Sequence, residues 1–134
     1  MKKTYLSVAA FSMAIAVILG AMGAHALESL LSADQLDSYK TAVRYQVWHS
    51  LAIFIVMIIP SGFISDKARS RVALFFAGGI VLFSFSIYLL ALKSVLHIES
   101  IAAVLGPITP LGGVLLISGW VILGVSLQRS KSVI

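Results

Sequence analysis

The sequence predicts an all-α integral membrane protein, a four-helix bundle, and two observations lead to this prediction. Four apolar stretches fill most of the 134 residues. Each is close to the ~20 residues with which a helix crosses a ~30 Å hydrocarbon layer, and they cover residues 5–24, 45–63, 72–92 and 110–127. Hydrophobic residues make up 60% of the chain and charged residues 11%, which is too apolar for a water-soluble surface. The short connections leave no room for a soluble domain, so we expect residues 1–134 to form a single transmembrane domain.

Span one carries small residues at every fourth position, namely Ser12, Ala16, Gly20 and Ala24. Helices in lipid gain no hydrophobic free energy from meeting each other. Small side chains instead allow the close backbone approach that supplies dispersion contacts. We therefore expect this stripe to be a helix-packing face, either within the chain or between subunits.

Between spans one and two, the sequence predicts an extra interfacial amphipathic helix over residues 33–44. Ser32 followed by Gln35 is a capping box, a pattern that begins many helices. Apolar and charged residues then fall on different faces. A single straight helix from residue 33 to residue 59 would be ~40 Å long, more than the thickness of a bilayer core. We therefore expect the first part to lie along the outer interface, with a bend before span two.

The distribution of charge across the predicted spans indicates the orientation of the chain. If the N-terminus is cytoplasmic, the cytoplasmic side carries seven basic residues, which are Lys2, Lys3, Lys67, Arg69, Arg71, Arg129 and Lys131. The opposite side carries three, which are Lys40, Arg44 and Lys93. This is the positive-inside pattern, so we expect both termini on the cytoplasmic side of a bacterial inner membrane. The net charge of +5 then meets anionic lipid headgroups, and no nucleic-acid-binding motif accompanies it.

Two prolines lie just before span four. Gly106 and Pro107 are followed by Thr109 and Pro110. A residue that precedes proline is pushed out of the helical region, and proline is favoured at the first position of a helix. We therefore expect residues 105–109 to be extended or turn-like, with Thr109 as the N-cap of span four.

Five polar residues near the outer ends of spans one and two form the candidate site: His25, Glu28, Arg44, Gln46 and His49. Polar side chains at this depth point into the bundle or meet water, because exposure to lipid would leave their polar atoms unpaired. We expect His25, Gln46 and His49 to form one buried hydrogen-bonded network, with Arg44 or Glu28 at its wet edge. Such a network can fix the helices together or carry a function, and the sequence leaves both open.

The chain shows no motif for catalysis or for a cofactor. It has no cysteine, no G-x-S-x-G and no paired histidines at metal-ligand spacing. No Asp or Glu lies inside a predicted span, where a proton-coupled antiporter needs one. We therefore expect no catalytic residue, metal or cofactor. A zinc or haem site remains an alternative, with candidate ligands His25, His49, His97, Glu28 and Glu99.

Four sequence blocks follow one another along the chain: GAMGAHAL at 20–27, TAVRYQVWHSLA at 41–52, FSFSIYLLAL at 83–92 and LGPITPLGG at 105–113. In this order they resemble the YgdD/YwdK-like family of small bacterial inner-membrane proteins. The resemblance extends over nearly the whole chain and implies a helical architecture in the membrane. That family has no assigned function, so the resemblance implies no activity and no catalytic residues.

These observations favour a non-enzymatic function, in which the protein packs with itself, with lipid or with another membrane protein. The alternative is a carrier or channel for a small solute or an amphiphile, through the polar cluster at the outer end. A metal- or haem-binding membrane protein is the further alternative. The expected partners are the lipid bilayer and a second copy of the chain or another membrane protein, and nucleic acid is not among them.

Overall fold

The computed structural model describes residues 2–129, which form four long helical spans. Span one is α1 (Lys2–Ala24) and span two is α2 (Ala33–Ile58). Span three consists of α3 (Asp66–Gly79), a π-helical segment (Ile80–Phe85) and α4 (Ser86–Leu92). A 3-10 turn (Glu99–Ile101) leads into α5 (Ala102–Arg129), which is span four. All four spans are long and apolar enough to cross a membrane, and residues 2–129 contain no strand, so the predicted all-α four-span fold is confirmed.

Spans two and three form the centre of the bundle, and α1 and α5 flank them. α1 packs mainly against α2, whereas α5 packs against all three parts of span three. Neighbouring spans in sequence are therefore neighbours in space, as short connections require. We call the end that holds the α2–α3 turn the inner end. The opposite end, which holds the α1–α2 and α4–α5 connections, is the outer end.

The apolar core has two parts. The larger part joins α2, α3 and α5 and includes Ile53, Val56, Val72, Phe76 and Leu116. The smaller part lies at the outer end and includes Leu27, Leu31, Tyr39, Ala42 and Tyr88. Tyr39 is therefore packed inside the bundle although it precedes the predicted start of span two.

The first half of α2 differs from its prediction. The Ser32–Gln35 capping box is present, with both reciprocal bonds. However, the helix continues unbroken from Ala33 to Ile58, so the expectation of a separate interfacial helix over residues 33–44 is wrong. The reason is that Tyr39, Ala42 and Gln46 continue the buried face of the span outward, each 5% exposed or less. This face packs against α1 and α4 rather than against lipid headgroups.

The start of α5 also differs from its prediction. Residues 105–109 are helical, and Pro107 and Pro110 both lie inside the helix. Gly106 has no Cβ, and a Cβ on the preceding residue is one of the groups that disfavour helical backbone before proline, so Gly106 stays helical before Pro107 more easily than another residue would. Thr109 donates to Leu105 O (3.3 Å) and pairs with Ser86 Oγ (2.7 Å) rather than capping the helix. Contacts with a neighbouring helix are what allow proline inside a membrane span.

Glycines bring α5 against span three at close range. A Cβ at Gly112 would overlap the backbone nitrogen of Phe83, which lies in the π-helical segment. A Cβ at Gly119 would lie 2.6 Å from Phe76 Cε1. A Cβ at Gly79, which lies in span three, would overlap the side chain of Leu116 in α5. These three glycines are the small-residue contact between spans three and four.

Candidate functional site

Gln46 is the centre of a buried hydrogen-bonded network that joins three helices. Its Nε2 donates to Ser12 O (2.9 Å) and lies 3.4 Å from Ser12 Oγ. Its Oε1 accepts a bond from the Tyr88 hydroxyl (2.8 Å). Ser50 donates to Ser12 Oγ (2.7 Å). The network therefore connects α1 to α2 and α2 to α4. It gives both the nitrogen and the oxygen of the Gln46 amide a hydrogen-bond partner.

Tyr39 extends the contact between α1 and α2 toward the outer end. Its hydroxyl donates to Leu19 O (2.9 Å), and its ring lies 5.1 Å from the ring of Tyr88. A Cβ at Gly23 would lie 2.9 Å from Tyr39 Cε1, so this glycine makes room for the ring. The tyrosine pair thus covers the Gln46 network on its outer side.

His49 belongs to a different group of contacts. Trp120 Nε1 donates to His49 Nε2 (3.1 Å), so that ring nitrogen carries no proton. His49 Nδ1 therefore holds the proton and donates it to Tyr45 O (2.8 Å). The ring is uncharged in this arrangement and also lies against Phe76, with centroids 5.4 Å apart. His49 thus connects α2 to α5, away from the Gln46 network.

The other three residues of the predicted cluster lie at the surface. His25 and Glu28 are exposed in the turn that follows α1. Arg44 is also exposed and interacts along its own helix, with Thr41 Oγ1 at 2.7 Å and Asp37 Oδ1 at 3.6 Å. The expectation of one buried network that includes His25 is therefore wrong. α1 ends at Ala24, and in the turn that follows Leu27 and Leu31 are buried while His25 is exposed.

No metal or haem site is supported by this arrangement. Within residues 2–129, no group of three or more His, Asp and Glu side chains could hold a metal ion. Haem between His25 and His49 is also not supported, since both ring nitrogens of His49 already have partners and His25 is exposed.

The small-residue stripe of α1 faces α2 along part of its length. Ser12 is half-buried, Ala16 is fully buried, and the missing Cβ of Gly20 would lie 3.5 Å from Val43 Cγ1. Ala24 is exposed. The buried positions of α1 are instead Ala9, Ala16 and Gly23, which recur at every seventh residue.

Arg69 is a buried residue that sequence reasoning missed. Its side chain is 1% exposed, although the sequence places it in a basic turn. Its Nη2 donates to Ile59 O at the end of α2 (2.6 Å), and its Nη1 lies 3.3 Å from Asp66 Oδ1. The guanidinium therefore donates to a carbonyl at the end of α2 that has no partner within the helix. Its positive charge also interacts favourably with the negative end of the α2 dipole. The N-cap Ser65 is the signal that places this turn inside a helix, with Arg69 on its first turns.

Two grooves lie on the outside of the bundle near these residues. The outer groove, about 610 Å³, separates the first turns of α2 from α4 and is lined by Asp34, Asp37, Ile87, Leu90 and Lys93. The aromatic groove, about 440 Å³, lies beside the His49–Trp120 pair and also includes Trp48 and Phe83. The nitrogens of His49 and Trp120 are already bonded to each other or to backbone, so the aromatic groove offers mainly apolar contacts. The outer groove combines charged and apolar side chains.

The chain is similar to membrane proteins from several organisms. A family model described as "Protein of unknown function (DUF423)" matches residues 19–113. A UPF0382 membrane protein of Staphylococcus aureus (strain bovine RF122) is 40% identical over 121 residues, 90% of this chain and 92% of the relative. The UPF0382 membrane protein YwdK of Bacillus subtilis is 36% identical over 129 residues, 92% of this chain and 95% of YwdK. A UPF0382 membrane protein of Haemophilus influenzae is 35% identical over 133 residues, 98% of this chain and 99% of the relative.

No solved structure is significantly similar to the chain. The family model covers most of the sequence and includes both Gln46 and His49 of α2 and the prolines of α5. The similarity to YwdK confirms the resemblance seen in the four sequence blocks. This chain therefore belongs to the DUF423 family, the UPF0382 membrane proteins, whose function is unknown.

Proposed function

We propose that this protein is a non-enzymatic interaction protein, which binds lipid or another membrane protein along faces that its own bundle leaves uncovered. The observation that carries this proposal is how little of the two flanking spans is buried. In the most apolar part of each span, 17% of the residues are buried in α1 and 22% in span four, against 44% in α2 and 39% in span three. The uncovered face of α1 presents Phe11, Ile15 and Ile18. Such faces need lipid or protein as a cover.

The interior contacts support interaction rather than catalysis or passage of a solute. The polar groups around Gln46 bond to each other and so offer no free partner to a solute within the bundle. His49 gives both ring nitrogens to Tyr45 and Trp120, so it has none left to act as a general base. A carrier for an amphiphile remains the second candidate, because the outer groove presents charged and apolar side chains together.

The proposal includes the inner membrane of a bacterium as the location, with both termini cytoplasmic. Lys2 lies 3.6 Å from Asp66, and Arg129 lines a groove with Ser61 and Ser65. These contacts support one common end for the N-terminus of α1, the α2–α3 turn and the end of α5. That end carries the excess of basic residues, which favours the cytoplasmic side. Lys131, which is part of the same excess, lies outside the described residues.

The experiment that tests the function is native mass spectrometry of the full chain, extracted with its surrounding membrane lipid. We expect a discrete complex, with a second copy, a partner protein or lipid that survives transfer into detergent. The double variant Phe11→Ala, Ile15→Ala should lose the second copy, partner or lipid that the α1 face holds, without a change in thermal stability, since both side chains point away from the bundle, 71% and 51% exposed.

Leu30→Ala is the matched control. Leu30 is 58% exposed but lies in the turn after α1 rather than on the helix face, so the complex should persist. A wild-type protein that is monomeric and holds only freely exchanging lipid would contradict the proposed function.

A further inference from the structure

We propose that the outer groove binds the headgroup of a zwitterionic phospholipid that carries a primary amine, of the phosphatidylethanolamine class. This inference rests on the proposed function and names the ligand of one surface. The groove has three features that such a lipid requires: carboxylates for the ammonium, a cation for the phosphate and an apolar wall for the beginning of the acyl chains.

The groove lies between the first turns of α2 and the last turns of α4. Its α2 wall is formed by Asp34, Asp37, Ser38 and Thr41, which follow one another on one face of the helix. Its α4 wall is apolar and is formed by Ile87, Leu90 and Ala91. A hydrogen bond from Gln35 Nε2 to Ser94 Oγ (3.2 Å) joins the two walls at the outer rim. This bond links the two sides of the groove, which has a volume of about 610 Å³.

The charges of the groove are complementary to an amine phospholipid. Asp34 and Asp37 are three residues apart on α2, so both carboxylates lie on the groove side of the helix. Asp37 also lies 3.6 Å from Arg44, but both side chains are more than half exposed, and a pair of this kind is weak enough to exchange. Lys93 supplies the one cation among the lining residues, from the opposite wall. Carboxylates bind an ammonium and a lysine binds a phosphate by charge-assisted hydrogen bonds.

The apolar wall favours a lipid over a soluble zwitterion. Ile87 and Leu90 belong to the apolar run of span three, so the groove continues from the charged rim down the side of the span. A volume of this size accommodates a headgroup and the first part of the chains rather than a whole lipid. The remaining chain length can lie on the exposed side of the span, in the surrounding lipid.

The same chemistry predicts which headgroups are rejected. The N–H groups of a primary ammonium can donate to Asp34, Asp37, Ser38 and Thr41, whereas a trimethylammonium has no N–H to donate. An anionic glycerol headgroup has no ammonium to pair with Asp34 and Asp37, and Lys93 and the Arg44 beside Asp37 only partly offset the repulsion between its phosphate and these carboxylates. We therefore expect the order phosphatidylethanolamine, then phosphatidylcholine, then phosphatidylglycerol.

The test is native mass spectrometry of the full chain in detergent, titrated separately with the dioleoyl form of each of these three lipids. For the wild type, phosphatidylethanolamine should bind at least about tenfold more tightly than phosphatidylglycerol, the difference expected for losing charge-assisted bonds. The double variant Asp34→Asn, Asp37→Asn should lose this preference. Lys93→Gln should weaken the binding of phosphatidylethanolamine in the same way, although it leaves both carboxylates in place.

Glu28→Gln is the matched control, because Glu28 is an exposed acid at the same end of the bundle and outside the groove. It should keep the wild-type preference, and circular dichroism of each variant should show an unchanged helical fold. Equal binding of the three lipids, or a preference that survives the double variant, would overturn the inference. Competition by soluble phosphoethanolamine at the same concentration as the lipid would also overturn it, since the acyl chains would then contribute nothing.

This outcome is separable from a failure of the proposed function. The outer groove lies between α2 and α4, whereas the function test addresses the uncovered face of α1. If the lipid preference is absent while the α1 complex persists, the inference is wrong and the proposed function stands.

Discussion

Gln46 and His49 are less than one turn apart on α2, yet they bond to different helices. Three residues rotate a helix position by about 300°, so the two side chains diverge by about 60°. Gln46 consequently reaches Ser12 of α1 and Tyr88 of α4, whereas His49 reaches Trp120 of α5. One helix therefore holds three neighbours by specific polar contacts in a solvent that offers no alternative hydrogen bonds.

The first prediction concerns the bond between His49 and Trp120. His49→Leu removes an acceptor for Trp120 Nε1 and should lower the free energy of unfolding by about 1–3 kcal/mol. His49→Gln should lower the free energy of unfolding by less than His49→Leu does, because the glutamine amide retains both an acceptor and a donor. Denaturant titration in detergent, followed by circular dichroism, measures the difference between the two variants.

Trp120→Phe serves as the control in a double-mutant cycle with His49→Leu. If the hydrogen bond matters, the double variant should be less destabilised than the sum of the single variants. Strict additivity, or equal stability of His49→Leu and His49→Gln, would show that the bond contributes nothing.

At single residues, contacts between positions close in the sequence were predictable, and contacts between more distant positions were not. The Ser32–Gln35 capping box depends on residues three apart, and the structure has both of its bonds. The burial of Arg69 depends on its bond to Ile59 O, ten residues earlier in the chain. The sequence does not indicate this bond, because a basic residue near a turn is ordinarily solvated. His25 was misplaced because its depth was inferred from the length of span one, whereas α1 ends at Ala24 and the turn that follows buries Leu27 and Leu31 instead.

At the scale of the elements, the existence of each span was predictable, but two boundaries were not. A helix over residues 33–59 is longer than a bilayer core is thick, which argued for a separate first segment. The structure instead has one unbroken α2, because Tyr39 and Ala42 extend its buried face outward. Proline preferences argued for a helix start at Pro110, yet Gly106 and the Ser86–Thr109 contact accommodate both prolines inside α5. In both cases packing against a neighbour prevails over a local preference.

The second prediction concerns the contact between α5 and the π-helical segment. Gly112→Ala places a Cβ against the backbone nitrogen of Phe83, which cannot rotate away as a side chain can. The helices must separate, so we expect the free energy of unfolding to fall by about 1–3 kcal/mol, the usual cost of overpacking. Thermal unfolding in detergent, followed by circular dichroism, measures the effect.

Gly124→Ala is the matched control on the same helix. No heavy atom lies within 4 Å of the Cβ that it would add, and alanine is a better helix former than glycine. This variant should therefore be as stable as the wild type or more stable. Equal destabilisation by both variants would mean that the glycines serve the helix itself rather than the contact with span three.

At the scale of the whole molecule, charge and packing divide the bundle into two different ends. The inner end gathers Lys2, Asp66 and Arg129 around the α2–α3 turn. The outer end carries the groove, with Asp34 and Asp37 on one wall and Lys93 on the other. A basic end suits the anionic cytoplasmic leaflet, and an end of mixed charge suits the opposite side.

The last prediction tests that orientation with single cysteines, because the natural chain has none. Ser29 lies in the turn after α1 at the outer end, and Ser61 lies in the α2–α3 turn at the inner end. Both are exposed, and their replacement changes no charge. In intact spheroplasts, a membrane-impermeant maleimide should label Ser29→Cys and leave Ser61→Cys unlabelled. After permeabilisation both should react to the same extent, which controls for accessibility. Labelling of Ser61→Cys alone in intact spheroplasts would reverse the orientation and move the outer groove to the cytoplasmic leaflet.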